Sequence, residues 1–89
     1  MTVVLTSGEL AELDRQNPAT KSNGGFQSLI VSLQERVNRL TRELDLGAKD
    51  LERIGRYAFD YRRGGWQGRL MRIFSRTLGP TLGRGRLAA

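Results

Sequence analysis

The stretch GGFQ at residues 24–27 returns forty positions later as GGWQ at residues 64–67. Each copy places two glycines and a large aromatic residue before an amphipathic segment. Glycine adopts backbone conformations that other residues avoid, so paired glycines suit a sharp turn between helices. The two stretches therefore predict two equivalent joints, at which one helix ends and the next begins. The joint residues are Gly24, Gly25, Phe26, Gln27, Gly64, Gly65, Trp66 and Gln67.

The similarity extends outward from both joints. The segment LTSGELAEL at 5–13 resembles LGAKDLERI at 46–54, and the segments after the joints also match. Because turn residues match as well as apolar ones, we interpret the chain as a tandem repeat of about 40 residues. A chance alignment of two amphipathic helices is the alternative. The matched pairs include Leu5 with Leu46, Glu9 with Asp50, Leu10 with Leu51, Ile30 with Leu70 and Arg36 with Arg76.

The periodicity of the apolar residues predicts an all-α fold: four helices arranged as two similar helical hairpins. A single helical domain is expected at 1–78, with unit 1 at about 5–42 and unit 2 at about 46–78. Residues 79–89 lack periodicity and predict a flexible basic tail. The initial TVVL is compatible with a strand, but a lone strand needs a partner, such as its copy in a homodimer. The helices are predicted at about 7–16, 26–42, 48–63 and 66–78. The second is expected to bury one face, formed by Phe26, Leu29, Ile30, Leu33, Val37 and Leu40.

The two units also share a pattern for starting a helix. In LTSGEL, Thr6 is suited to cap the helix and Glu9 to complete a capping box, and Leu5 with Leu10 forms a hydrophobic staple. In LGAKDL, glycine replaces the capping threonine, but Asp50 occupies the position of Glu9. Helices are therefore expected to start near Ser7 and Ala48.

Charge is distributed unevenly between the two halves. Residues 1–50 carry six basic and seven acidic side chains, whereas 51–89 carry nine arginines and two acids, within a net charge of +6. On helix 4, the spacing i, i+3, i+7 predicts an arginine stripe on one surface free of acids, which suits a phosphate backbone. A solvated helix face is the alternative. The stripe comprises Arg69, Arg72 and Arg76, and the predicted binding surface adds Arg62, Arg63, Arg84 and Arg86.

Several classes of function are disfavoured by what the sequence lacks. It contains no cysteine and no histidine, so we expect neither a disulfide framework nor a zinc site. No nucleophile motif or supported carboxylate pair is present, so we expect neither an enzyme nor a cofactor. The initial segment has no basic region followed by a long apolar stretch, which predicts a cytoplasmic protein without a membrane partner.

The sequence therefore predicts a small non-catalytic binding protein whose basic C-terminal half contacts nucleic-acid phosphates, as a DNA-binding regulator or accessory factor. The alternative belongs to another class: an inhibitor or adaptor, carried by a phage or mobile element, that docks on an acidic protein surface. An anti-CRISPR-type blocker of a host defence complex would be one example. A homodimer is compatible with either prediction, because a chain of 89 residues buries only a small core.

Overall fold

The computed structural model describes residues 1–60 and 64–88, and the side chains of 1–58 and 66–79. The chain is mostly helical, and each predicted helix has a counterpart. A short 3₁₀ turn, Pro18–Thr20, precedes α2, and a π-helical turn, Arg56–Asp60, follows α3. The regular elements are β1 (Thr2–Val4), α1 (Ser7–Leu13), α2 (Gly25–Arg36), β2 (Glu43–Asp45), α3 (Ala48–Gly55) and α4 (Gly64–Ala88).

The two strands pair with each other and form a ribbon, a sheet of two antiparallel strands. Val3 lies opposite Leu44, and both side chains are buried. Their neighbours in each strand alternate to the exposed face, as the pleat of a strand requires. The all-α prediction missed this ribbon because three residues are too few to show an alternating pattern. The partner of β1 is β2 of the same chain, so pairing β1 does not require a homodimer.

Helix α2 ends earlier than its apolar pattern predicts. It stops at Arg36 rather than at 42, and Val37 already has an extended backbone. The Asn38 side chain accepts hydrogen bonds from the Leu40 and Thr41 amides at 2.9 and 3.2 Å. These bonds offer the backbone an alternative to the helix. Leu40, predicted to lie on the buried face, is 93% exposed.

The second half also departs from the predicted boundaries. The continuous helix expected at 48–63 is an α-helix to Gly55 and a π turn to Asp60, while 61–63 lie outside the described residues. Helix α4 begins at Gly64, two residues before the predicted start. It continues past the predicted end at Leu78 and runs to Ala88, so the segment expected to be a non-helical tail is helical there.

One hydrophobic cluster connects the ribbon with the four helices. The buried face of α2 is the predicted one, apart from Leu40. The half-buried Leu10, Leu51, Tyr57 and Trp66 pack against the same cluster. The buried members are Val3, Leu5, Leu13, Phe26, Leu29, Ile30, Leu33, Val37, Leu44, Leu46, Ile54, Ala58, Leu70, Ile73, Phe74 and Leu78.

The starts of α1 and α3 that the capping pattern predicts are confirmed. Thr6 Oγ1 accepts from the Glu9 amide at 3.1 Å, and the Glu9 carboxylate accepts from the Thr6 amide at 2.8 Å, which completes the capping box. At the second start, the Asp50 carboxylate accepts from the Gly47 amide at 2.8 Å. Both acids are therefore held at the first turn of their helices, which fixes where their charges lie.

Candidate functional site

The two glycine–aromatic joints meet in the core. The rings of Phe26 and Trp66 stack with centroids 5.2 Å apart and an angle of 9° between their planes. Tyr57 presents an edge to both rings. Phe26 is fully buried and Trp66 is half-buried. The aromatic residues of the two stretches therefore contact each other.

Gly25 is needed for close approach rather than for a left-handed backbone. A Cβ atom at this position would lie well inside contact distance of Tyr57 Oη. Gly24 has an extended backbone with φ 170°, and the non-glycine residue with left-handed φ in the described chain is Arg42, at 62°. Neither Gln27 nor Gln67 makes a side-chain hydrogen bond within the described part of the chain.

The arginine stripe of α4 faces acids of α1. Arg72 Nε donates to Glu12 Oε1 at 2.5 Å, and Arg76 Nη2 donates to Glu9 Oε1 at 2.8 Å. Arg69 donates to Gln16 Oε1 at 2.6 Å, and its guanidinium lies 5.3 Å from the centroid of the Phe26 ring. The expected surface free of acids is therefore wrong. The acids come from a distant part of the sequence, so the spacing within helix 4 gave no sign of them.

Both glutamates are held in the charged form. Burial by itself would raise the pKa of Glu9, but hydrogen bonds from Arg76 and Thr6 and the charge of Arg76 outweigh it and lower the pKa. Burial opposes ionisation of Glu12 in the same way, and Arg72 and Arg15 lower its pKa. Burial also lowers the pKa of Arg69, whose nearest polar partner is neutral.

We call this set of contacts the α1–α4 seam. Its four arginines face two glutamates, so it retains a net charge of +2. Arg72 and Arg76 are still about half-exposed, at 55% and 52% of their side chains. The seam consists of Glu9, Glu12, Arg15, Gln16, Arg69, Arg72 and Arg76.

A second contact between helices has the same form as one in the seam. Arg36 of α2 donates to both Asp50 carboxylate oxygens at 2.9 and 2.8 Å, and also to the Asp45 carbonyl at 3.4 Å. Arg76 donates to Glu9 and also to the Val4 carbonyl at 2.5 Å. Each arginine thus joins the first turn of one helix to the last residue of a strand.

The other four predicted binding residues lie outside the part of the chain whose side chains the structure describes. Arg62 and Arg63 lie outside the described residues. Arg84 and Arg86 lie on the helical backbone of α4, beyond the part of the helix whose side chains are described.

Almost every described carboxylate is used inside the molecule. Seven pair with a cation, and Glu43 forms no ion pair in the described part of the chain. Several cations therefore remain without a carboxylate, and the positive surplus lies at the surface. The paired acids are Glu9, Glu12, Asp14, Glu35, Asp45, Asp50 and Glu52.

The surplus cations include Lys49 and Arg53 of α3, which we had not predicted as binding residues. Lys49, Arg53 and Arg56 follow the spacing i, i+4, i+7 and line one shallow surface depression with Glu52. Arg56 pairs with Glu52 at 2.5 Å, whereas Lys49 and Arg53 form no ion pair among the described residues. Arg53 donates to the Gly25 carbonyl at 3.0 Å. We call these three cations the α3 face; their helical spacing was visible in the sequence.

No protein-family model, no curated protein and no solved structure matches the chain, so no relative supplies a function. Within the described residues, no group of three or more acids could hold a metal ion. The helices that the structure describes include none that is long and apolar enough to cross a bilayer.

Proposed function

We propose that this is a cytoplasmic, non-catalytic protein that binds the phosphate backbone of nucleic acid through its α3 face. The observation that supports this best is the pair of unneutralised cations, Lys49 and Arg53, one helical turn apart on the rim of a surface depression. A lysine or arginine that has no carboxylate partner can replace a counterion at a phosphate, and release of that counterion favours binding.

The seam receives a different role in this proposal. Its carboxylates lie on α1, and Arg72 and Arg76 lie on α4, so these two ion pairs join the first helix to the last. Moving Arg76 onto a phosphate would leave the largely buried Glu9 carboxylate, at 11% side-chain exposure, without its cation. Moving Arg72 would leave Glu12, at 10% exposure, with Arg15 alone. We therefore assign Arg69, Arg72 and Arg76 mainly to stability. Arg62, Arg63, Arg84 and Arg86 remain proposed phosphate contacts.

We also propose that the two halves are copies of one strand–helix–helix unit, paired like the subunits of a symmetric dimer. The register of the ribbon supports this, because residues 41 positions apart, Val3 and Leu44, face each other. So does the reciprocal bonding of the strand ends, in which the Leu5 amide donates to the Arg42 carbonyl and the Leu46 amide to the Met1 carbonyl. The stacked aromatic residues of the two joints fit the same relationship.

Fluorescence anisotropy with a labelled duplex of random sequence at low salt tests the proposed binding. We expect the wild-type protein to bind, and Lys49→Gln/Arg53→Gln to bind at least tenfold more weakly. A matched control, Lys21→Gln/Arg39→Gln, removes the same charge from two exposed ion pairs of the first half and should keep most of the affinity. If both variants weaken equally, net charge rather than the α3 face governs binding. Absence of wild-type binding would favour the protein-docking alternative.

A further inference from the structure

The exposed face of the ribbon differs in chemistry from the rest of the surface. Its outward side chains are Thr2, Val4, Glu43 and Asp45, two of which are acidic in a protein with a net charge of +6. Glu43 forms no ion pair within the described part of the chain, whereas Asp45, 84% exposed, pairs with the Met1 ammonium at 3.5 Å. The negative charge of Glu43 would repel a phosphate backbone, so nucleic-acid binding does not account for this face.

The same region holds the exposed apolar side chains. Among the described residues, the large apolar side chains that are exposed are Met1, Val4 and Leu40, and all three lie on the ribbon or beside it. Leu40 and Val4 lie at the same end, because Val4 pairs with Glu43 and the turn that carries Leu40 leads into Glu43. Single exposed apolar residues are ordinary, but Val4 and Leu40 lie at one end of the ribbon, and neighbouring exposed apolar residues suit an interaction surface.

The turn from Asn38 to Arg42 holds Leu40 in a fixed position. The Asn38 side chain accepts from two amides of the turn, and the Asn38 amide donates to the Glu43 carbonyl at 2.9 Å. Arg42 Nε donates to the Leu5 carbonyl at 2.9 Å, although Arg42 has the unfavourable left-handed backbone. A leucine whose backbone is held in this way loses little backbone entropy when its side chain enters a pocket.

We propose that the ribbon end formed by Val4, Leu40 and Glu43 docks onto a protein surface that offers an apolar pocket surrounded by lysine or arginine. Leu40 would fill the pocket, while Glu43 would pair with a surrounding cation. The acids argue against a nucleic-acid or anionic membrane occupant, because both carry phosphates. This surface is distinct from the α3 face, so the protein would connect nucleic acid to a protein partner.

Site-specific photo-cross-linking in the native host tests this docking surface. A photoreactive amino acid replaces Leu40 in the full chain. In the control protein the same amino acid replaces Ser22, an exposed residue that precedes α2, whereas Leu40 follows that helix. We expect position 40, but not 22, to give a protein adduct whose cross-linked peptide is rich in lysine or arginine and apolar residues. Adding Glu43→Lys should reduce that adduct at least tenfold, since it reverses a charge that has no partner to lose.

Other outcomes would overturn the proposal. The first is that position 40 gives no more adduct than position 22. The second is that the adduct forms with nucleic acid or with a second copy of this chain. The third is that Glu43→Lys leaves the adduct unchanged. The variant Leu40→Asp separates this inference from the proposed function. It should abolish docking while leaving duplex affinity within about twofold, because no duplex contact involves the ribbon in our account.

Discussion

Arg36 and Asp50 form an ion pair between α2 and α3 that repeats the pair of Arg76 with Glu9 between α4 and α1. In both pairs the acid also accepts a hydrogen bond from the residue that caps its helix. Each arginine also donates to the carbonyl of the last residue of a strand. Such guanidinium groups cover the edges of a ribbon that other strands could otherwise join.

The equivalence of these two ion pairs can be measured with double-mutant cycles. We expect Arg36→Gln with Asp50→Asn, and Arg76→Gln with Glu9→Gln, to show favourable coupling of similar size, because each pair bridges two elements and holds a largely buried acid. Chemical denaturation of the single and double variants provides the coupling free energies. Lys21 and Glu35, both more than half-exposed, form the control pair and should couple weakly. Strong coupling in only one of the two bridging pairs would contradict their equivalence.

The same acids predict how stability depends on pH. Hydrogen bonds from Arg36 lower the pKa of Asp50 against the effect of burial, and the pKa values of Glu9 and Glu12 are also lowered. An acid whose pKa is lowered by folding stabilises the folded state fully only at a pH above its pKa in the unfolded chain, which is about 3.9 for Asp and 4.3 for Glu. That contribution is lost as the pH falls through the folded values.

Thermal melts from pH 7 to pH 2 test this dependence. The melting temperature should begin to fall below about pH 4.5. Asp50→Asn should melt lower than wild type at pH 7 and lose less on acidification, since one of the responsible groups has been removed. A wild-type melting temperature that stays constant or rises down to pH 2 would refute the assigned role of these acids.

The two glycines before Phe26 should respond differently to a methyl group. Gly25→Ala places Cβ against the hydroxyl of Tyr57, whose ring packs edge-on against both Phe26 and Trp66, so it should destabilise the fold. Gly24→Ala meets only the end of the Gln27 side chain, which can move, and should change stability little. Urea denaturation compares the two. Equal melting of both variants would mean that Tyr57 is not held where the structure places it.

Trp66 should be important for stability rather than only for contact with a partner. Its truncation to Ala removes the stack on Phe26 and should cost about 3 kcal/mol, at the low end for tryptophan because the side chain is only half-buried. The free energy of unfolding from denaturant titration gives the value. A loss below about 1 kcal/mol would overturn the structural joint and make Trp66 a candidate contact residue.

The parts of the fold that depend on neighbouring residues could be predicted from the sequence. Thr6 and Glu9 lie within one helical turn, so their capping box was recognisable. The apolar spacing of α2 identified its buried face, including Phe26 and Leu33, because a helix has a fixed period.

The missed features depend on contacts between distant residues. Nothing near Val3 indicates that Leu44 will lie opposite it. The apolar spacing continued to Leu40, but the turn at Asn38 leads the chain into β2 instead. For the candidate site, the charge imbalance between the halves was visible, but the pairing of Arg72 with Glu12 crosses sixty positions. Among the described residues, Arg72 and Arg76 of α4 are paired with acids, whereas Lys49 and Arg53 of α3 form no ion pair.

The dependence of duplex affinity on salt tests the proposed function most directly. For duplex DNA, log affinity falls with log salt at about −0.9 per neutralised phosphate. We predict that Lys49→Gln/Arg53→Gln flattens the wild-type slope by up to about two units, equally for unrelated sequences, while the control Lys21→Gln/Arg39→Gln leaves the slope near that of wild type. A wild-type protein without a measurable slope, or an α3-face variant with the wild-type slope, would contradict phosphate binding by Lys49 and Arg53.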